Sequence, residues 1–201
     1  MQRYDSRTAL VVVDVQNDFA DPAGSLAVAA ATAIIPTVND AVRVAADAGA
    51  TVVYTQDWHP ASTPHFSKDG GIWPVHCLAE SWGAELHPSL VVAADAARVR
   101  KGVHGEDGYS GFTTRDPVTG ETRPTELDSL LRERGIERIV VCGLATDYCV
   151  NATALDAIRL GYETFFLEEA VAAVNLRPGD GERATDAMVD AGCNPWVVPA
   201  R

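Results

Sequence analysis

A chain of 201 residues with 47% apolar content can bury one sizeable core and is read as a single domain spanning 1–201. The formal net charge of −12 comes from scattered Asp and Glu, which argues against a nucleic-acid partner, and no run of about 18 apolar residues suggests a membrane span. The opening "MQRYDSRTALVVVDV" lacks the regions of a secretory signal, and Cys77, Cys142, Cys149 and Cys193 show no dense spacing, so the chain is expected in the cytoplasm with its thiols reduced.

In chain order, "TALVVVDV" (8–15) is the first strand candidate, followed by an irregular stretch over 16–35 and a helix over 36–49. "ATVVYTQ" (50–56) is the second strand, and a long irregular stretch, 57–95, separates it from "ARVRKG" (97–102). A helix over 124–135, opened at Pro124 and closed by Gly135, leads to the strand "RIVVCGL" (138–144). The remainder alternates: helix 147–160, strand "ETFFLEE" (163–169), helix 180–191 and strand "NPWVVP" (194–199). Several strands are apolar at successive positions, as expected when both faces are covered, so the alternation predicts an α/β fold with a parallel sheet between two helical layers. Ligands of open α/β sheets bind beyond the carboxyl ends of the strands, and long loops in a compact domain are usually functional.

Those strand ends carry Asp14, Asp57, Lys101 and the "ATDYC" stretch with Cys149. Each has a bland reading: an Asp that caps backbone amides, a solvated edge lysine, a small buried thiol. Their coincidence at one sheet edge favours chemistry. With a helix beginning near Thr146 or Asp147, Cys149 lies in its first turn, where free N–H groups and the helix dipole favour a thiolate. Asp14 suits a general base and Lys101 a stabilising cation, while the N–H groups of Ala145 and Cys149 suit an oxyanion.

A second constellation occupies "QDWHPASTPHFSKDGGIWPVHC" (56–77), where Asp57, His59, His65 and His76 offer nitrogen and oxygen donors. Three of the five histidines fall in this loop. Such a set suits one divalent ion, zinc, iron(II) or manganese(II), which would also order an irregular loop; the opposing reading is a group of exposed loop histidines. Cys77 is either a spare ligand or a packed thiol.

The segments "VVVDVQNDF" (11–19), "DWHPASTPHFS" (57–67), "WPVHC" (73–77), "ELHPSL" (85–90), "RKG" with "GYSGF" (100–112) and "GLATDYCVNATALDA" (143–157) together resemble the nicotinamidases of the isochorismatase-like cysteine hydrolase superfamily, in order and through most of the chain. The resemblance implies a three-layer αβα fold with a six-stranded parallel sheet. It also implies hydrolysis of nicotinamide to nicotinate and ammonia in NAD salvage, with pyrazinamide as a further substrate. It makes Asp14, Lys101 and Cys149 the catalytic triad, and Asp57, His59, His65 and His76 the metal ligands. Phe19 and Trp73 would sandwich the pyridine ring, the Leu144–Ala145 bond would be cis, and Ala145 and Cys149 would form the oxyanion hole. The chain departs from the family in "LAESWGAELHP" (78–88), where Trp82 could reshape the pocket rim. The loop "HGEDGYSGF" (104–112), with His104, is read as solvated and takes no role. The competing functions are a cysteine hydrolase of another small amide and a non-catalytic metal-binding protein on the same fold. A homo-oligomer is left open.

Overall fold

The computed structural model describes residues 3–197. In chain order the elements are β1 (Thr8–Val13), α1 (Asn17–Ala20), α2 (Ala31–Asp47), β2 (Thr51–Asp57), β3 (Ala97–Lys101), β4 (Thr113–Arg115), β5 (Thr122–Pro124), α3 (Leu127–Glu133), β6 (Arg138–Leu144), α4 (Asn151–Arg159), β7 (Glu163–Ala172), α5 (Asp180–Asp190) and β8 (Asn194–Pro195). Six strands form one sheet in the order β3-β2-β1-β6-β7-β8, every neighbouring pair parallel, and β4 and β5 form a separate antiparallel hairpin.

The apolar run of β1 is buried throughout, from Ala9 to Val13. Its two-residue period divides it between two cores: Leu10 and Val12 pack in the cluster that contains α2, while Ala9, Val11 and Val13 pack in the cluster that contains residues of α3, α4 and α5. Strand β6 divides the same way, Val140, Cys142 and Leu144 on the first side and Ile139 and Val141 on the second. Burying each such Val, Leu or Ile contributes about 1.5–3 kcal/mol, which is why strands with no polar face sit in the middle of the sheet. This is the three-layer arrangement with six parallel strands expected above.

Boundaries moved where packing outweighed local signals. Helix α2 starts at Ala31 rather than at Pro36, because Ala31, Ile34, Ile35 and Val38 form a buried face that begins before the proline. Strand β1 ends at Val13, since Asp14 turns into the left-handed region with φ 50°. The expected helix over 147–160 is a π-helical turn, Thr146–Val150, that runs into α4. The hairpin β4–β5 was not anticipated. The expected strand 194–199 is seen as β8 with Trp196 bonded back to Phe166, and residues 198 and 199 lie outside the described residues.

The strand order reverses between β1 and β6, and a crevice opens at such a point beyond the carboxyl ends. At that end β6 approaches β1 closely: Gly143, with φ 108°, has no room for a side chain, since a Cβ there would stand 2.1 Å from the Val13 carbonyl oxygen. No described helix is long and apolar enough to cross a membrane.

Candidate active site

Four adjacent strands, β3, β2, β1 and β6, end at this crevice and deliver Lys101, Asp57, Asp14 and, one turn beyond β6, Cys149. Lys101 is in register with Asp57 on the neighbouring strand. Neighbouring strands are about 4.8 Å apart, so a lysine stem is long enough to pass one strand and reach the next. Its ammonium does so: Nζ lies 2.7 Å from Asp14 Oδ2 and 3.7 Å from Cys149 Sγ. It also donates to Asp57 Oδ1 and to the Gly108 carbonyl. A carboxylate oxygen of Asp14, one of Asp57 and the sulfur of Cys149 all lie within 4.8 Å of one another. The other Asp14 oxygen accepts from the Thr55 hydroxyl at 2.6 Å, which fixes the carboxylate plane.

Burial sets the electrostatics. Asp14 and Lys101 are essentially inaccessible to water. Burial, reinforced by neighbouring Asp57, lifts the Asp14 carboxyl above the usual carboxylate range despite Lys101 and Thr55. At Asp57 burial is outweighed by Lys101, His59 and His76, which hold its carboxyl well below that range. For Lys101 burial opposes the charge, but Asp14 and Asp57 overcome it and keep the ammonium well above the usual lysine range. The Cys149 thiol is pushed well up by burial, with Lys101 opposing. The dipole of a first turn therefore does not make it a resting thiolate, contrary to the expectation from its position; the sulfur needs a base at the moment of attack. Within the π-helical turn the N–H groups of Tyr148 and Val150 both donate to the Ala145 carbonyl, at 3.0 and 3.1 Å, and that of Cys149 between them does not join them. The Leu144–Ala145 peptide bond is cis.

The second constellation adjoins the first. The imidazoles of His59, His65 and His76 are all buried, with one ring nitrogen of each within 4.8 Å of the others. Asp57 joins the two groups: its Oδ1 receives Lys101, while its Oδ2 stands 3.7 Å from His59 Nε2 and 3.8 Å from His76 Nε2. Carbonyl and carboxylate oxygens only accept, so the His76 Nδ1 bond to Pro74 (2.8 Å) and the His65 Nδ1 bond to Asp107 (2.6 Å) place a proton on each Nδ1. In the neutral ring each Nε2 then carries the lone pair. Neither ring nitrogen of His59 has any hydrogen-bond partner, although the residue is fully buried. Gly102 makes room for that ring, because a Cβ at this left-handed position would lie 2.5 Å from it. A buried imidazole without a hydrogen-bond partner, facing two others whose Nδ1 is already engaged and a carboxylate held low by its neighbours, is a set of donors that fits a divalent cation.

A pocket lies over both groups, lined by Cys149, Asp57, His65 and His76 at its polar side and by Phe19, Leu26, Val28, Trp73, Tyr109, Leu144, Ala145, Tyr148 and Val174. Phe19 lies with its ring centroid 5.4 Å from that of His76, and Trp73 packs edge-on against Tyr148 at 4.9 Å. The residues assigned to the triad, the metal set, the ring and the oxyanion hole thus lie in or against this pocket, whereas Cys77 and Trp82 do not line it.

An isochorismatase-domain family model matches residues 8–195. The chain belongs to the isochorismatase family. Among relatives, the nicotinamidase of Escherichia coli (strain K12) is 37% identical, with 94% of each chain covered. Among solved structures, the pyrazinamidase of Pyrococcus horikoshii, crystallised with zinc, is 39% identical with a TM-score of 0.85, covering 96% of this chain and 99% of that one. PnC1 from L. infantum, crystallised with nicotinate, is 35% identical with a TM-score of 0.86, covering 97% of this chain and 95% of that one.

Several lining groups of this isochorismatase-family site were not singled out from the sequence. Tyr109 accepts from Trp73 Nε1 at 2.8 Å, and burial pushes its phenol up to about 12, so it stays neutral. Leu26 and Val28 come from the stretch read as irregular, where the apolar run that starts at Leu26 was the available signal. Cys77 is a packed thiol: fully buried, with Sγ 3.8 Å from the Gly83 carbonyl.

Trp82 is 49% exposed and does not line the pocket. The divergent stretch acts through its backbone instead. Asn17 Nδ2 donates to the Trp82 carbonyl at 2.7 Å, Gln16 Nε2 to the Ala84 carbonyl at 2.9 Å and the Asn17 N–H to the Glu85 carbonyl at 2.9 Å, bracing the short helix that carries Phe19. Trp82→Ala is accordingly expected to leave stability within about 0.5 kcal/mol and to change kcat/KM for the substrate by less than about twofold, as read by thermal melting and steady-state assay.

Proposed function

We propose that this isochorismatase-family chain is a nicotinamidase, hydrolysing nicotinamide to nicotinate and ammonia in NAD salvage, with pyrazinamide as a further substrate and the cytoplasm as its compartment. The observation that carries the reading is one pocket in which a thiol, a carboxylate and an ammonium converge beside three buried imidazoles, one of them without a hydrogen-bond partner.

In this reading Phe19 and Trp73 hold the pyridine ring, and the carboxamide carbon sits over Cys149. Asp14 takes the thiol proton as the sulfur bonds to that carbon, and Lys101 stabilises the negative charge passing between sulfur and carboxylate. The N–H groups of Ala145 and Cys149 receive the oxyanion of the tetrahedral adduct. Asp14 returns the proton to the departing nitrogen, the C–N bond breaks, and ammonia leaves a thioester on Cys149. Asp14 then takes a proton from water, whose oxygen bonds to the thioester carbon; the C–S bond breaks and the proton returns to sulfur. Burial raises the affinity of Asp14 for a proton, the direction that suits a group which must accept one from the thiol.

Asp57, His59, His65 and His76 would hold one divalent ion. When bound, zinc, iron(II) or manganese(II) supplies a Lewis acid able to hold the pyridine nitrogen. The test is an ammonia assay on purified protein, with nicotinamide, pyrazinamide and an aliphatic amide, before and after chelation and with elemental analysis. The expected result is turnover of the two heteroaromatic amides, about one ion per chain and loss of turnover on stripping. No turnover of nicotinamide by metal-loaded protein overturns the reading.

A further inference from the structure

We propose that Asp107 is a positioning residue of the metal centre: its carboxylate stands behind His65 and, held by the β4–β5 hairpin, sets that ring's orientation and donor strength. The proposal rests on the reading of the histidine cluster as a divalent-metal site, and it gives a role to a loop whose sequence suggests only solvated residues.

Asp107 Oδ1 lies 2.6 Å from His65 Nδ1, and both side chains are largely shielded from water. The three imidazoles are not treated alike. His59 has no hydrogen-bond partner on either nitrogen, His76 has the neutral carbonyl of Pro74 at Nδ1, and only His65 has a carboxylate at Nδ1, Asp57 facing the Nε2 side of His59 and His76 instead. A carboxylate that accepts the Nδ1 proton fixes the tautomer, stops the ring from turning and pushes electron density toward Nε2, strengthening it as a ligand. Such a role needs a partner that cannot drift. The Asp107 backbone meets that need, since its N–H donates to the Arg115 carbonyl at 2.7 Å and its carbonyl accepts from the Arg115 N–H at 2.9 Å. Arg115 in turn pairs with Thr122 across the hairpin.

The next residue extends the arrangement. The Gly108 carbonyl accepts from Lys101 Nζ, so two consecutive residues secure the metal side and the catalytic side of one pocket. A plain ion pair that merely orders the loop would use the same contact at Asp107. The two roles differ in what they predict for metal affinity.

The test uses the full-length chain and zinc as the probe, with affinity read by competition against a chromophoric chelator and thermal melting followed with and without zinc. Asp107→Ala is expected to weaken zinc binding by about 10–100-fold. Asp107→Asn keeps an acceptor for Nδ1 but no charge, and is expected to lose less affinity while melting like the unmodified chain when both are metal-free. Should Asp107→Ala fail to fold, Asp107→Asn still decides, through a smaller zinc-induced rise in Tm. Variants that bind zinc as tightly as the unmodified chain, or that lower the metal-free Tm with affinity intact, overturn the proposal. Failure of the unmodified chain to take up zinc would instead remove the metal reading, and this proposal with it.

Discussion

With Cys149 replaced by alanine, ammonia release from nicotinamide is expected to fall by about 10⁴-fold or more, while the chain stays folded and keeps its metal. The loss is large because no other group in the pocket can form the acyl intermediate. Cys77, the thiol nearest the histidines in sequence, is packed in a core with its pKa pushed well up by burial, and Cys142 faces the opposite core from Cys149. The fold is expected to survive because the bond from Lys101 to the sulfur is long, at 3.7 Å, and the ion pairs of that ammonium with Asp14 and Asp57 do not depend on it. The cost in stability should be about 1 kcal/mol. Residual turnover near that of the unmodified chain, measured on protein with an unchanged melting profile, would remove the nucleophile from the scheme.

Lys101→Met is expected to damage both folding and catalysis. The methionine nearly fills the stem's volume but leaves two buried carboxylates, Asp14 and Asp57, without their shared cation. Removing one partner of a buried ion pair costs about 3–5 kcal/mol, a fall in Tm on the order of 10 °C for a chain of this size. The pH dependence has a definite sign. Asp57, held low when folded, contributes stability above its unfolded pKa that is lost as pH falls through its folded value. That contribution depends on Lys101, so the deficit of the variant should be greatest near neutrality and shrink only below about pH 4, as the carboxyls become protonated and need no counter-charge. Catalysis fails for the same reason: without the ammonium the already raised Asp14 carboxyl holds its proton and cannot accept another from the thiol. Melting curves at the two pH values and a nicotinamide assay check both parts. A variant that melts like the unmodified chain at neutral pH would mean that Lys101 is not the counter-ion of this pair.

The chain's local patterns were enough for the sheet but not for its edges and loops. Valine runs such as "LVVV" and "IVVC" announce strands buried on both faces whatever surrounds them. The start of α2 was misplaced because a proline at 36 is a strong local signal, whereas the buried face of Ala31, Ile34 and Ile35 is known only from what it packs against. The hairpin β4–β5 has short strands, Thr113–Arg115 half-buried to exposed and Thr122–Pro124 exposed, with no apolar alternation to reveal them.

At the site the division is similar. Asp14, Asp57, Lys101 and Cys149 were legible because each closes or follows a strand candidate, and His59, His65 and His76 because three of the five histidines fall between 57 and 77. Their convergence depends on strand order, with β3, β2, β1 and β6 side by side though the start of β6 at Arg138 comes 37 positions after Lys101. The proton affinities also required the fold: a helix start suggested a thiolate at Cys149, and burial reversed it. Asp107 and Tyr109 gained their roles in the same way, through contacts with His65 and Trp73 more than thirty positions away in the chain. Residue type and local spacing establish which chemical groups are available; desolvation and long-range pairing, which depend on everything packed around a group, establish what each of them does.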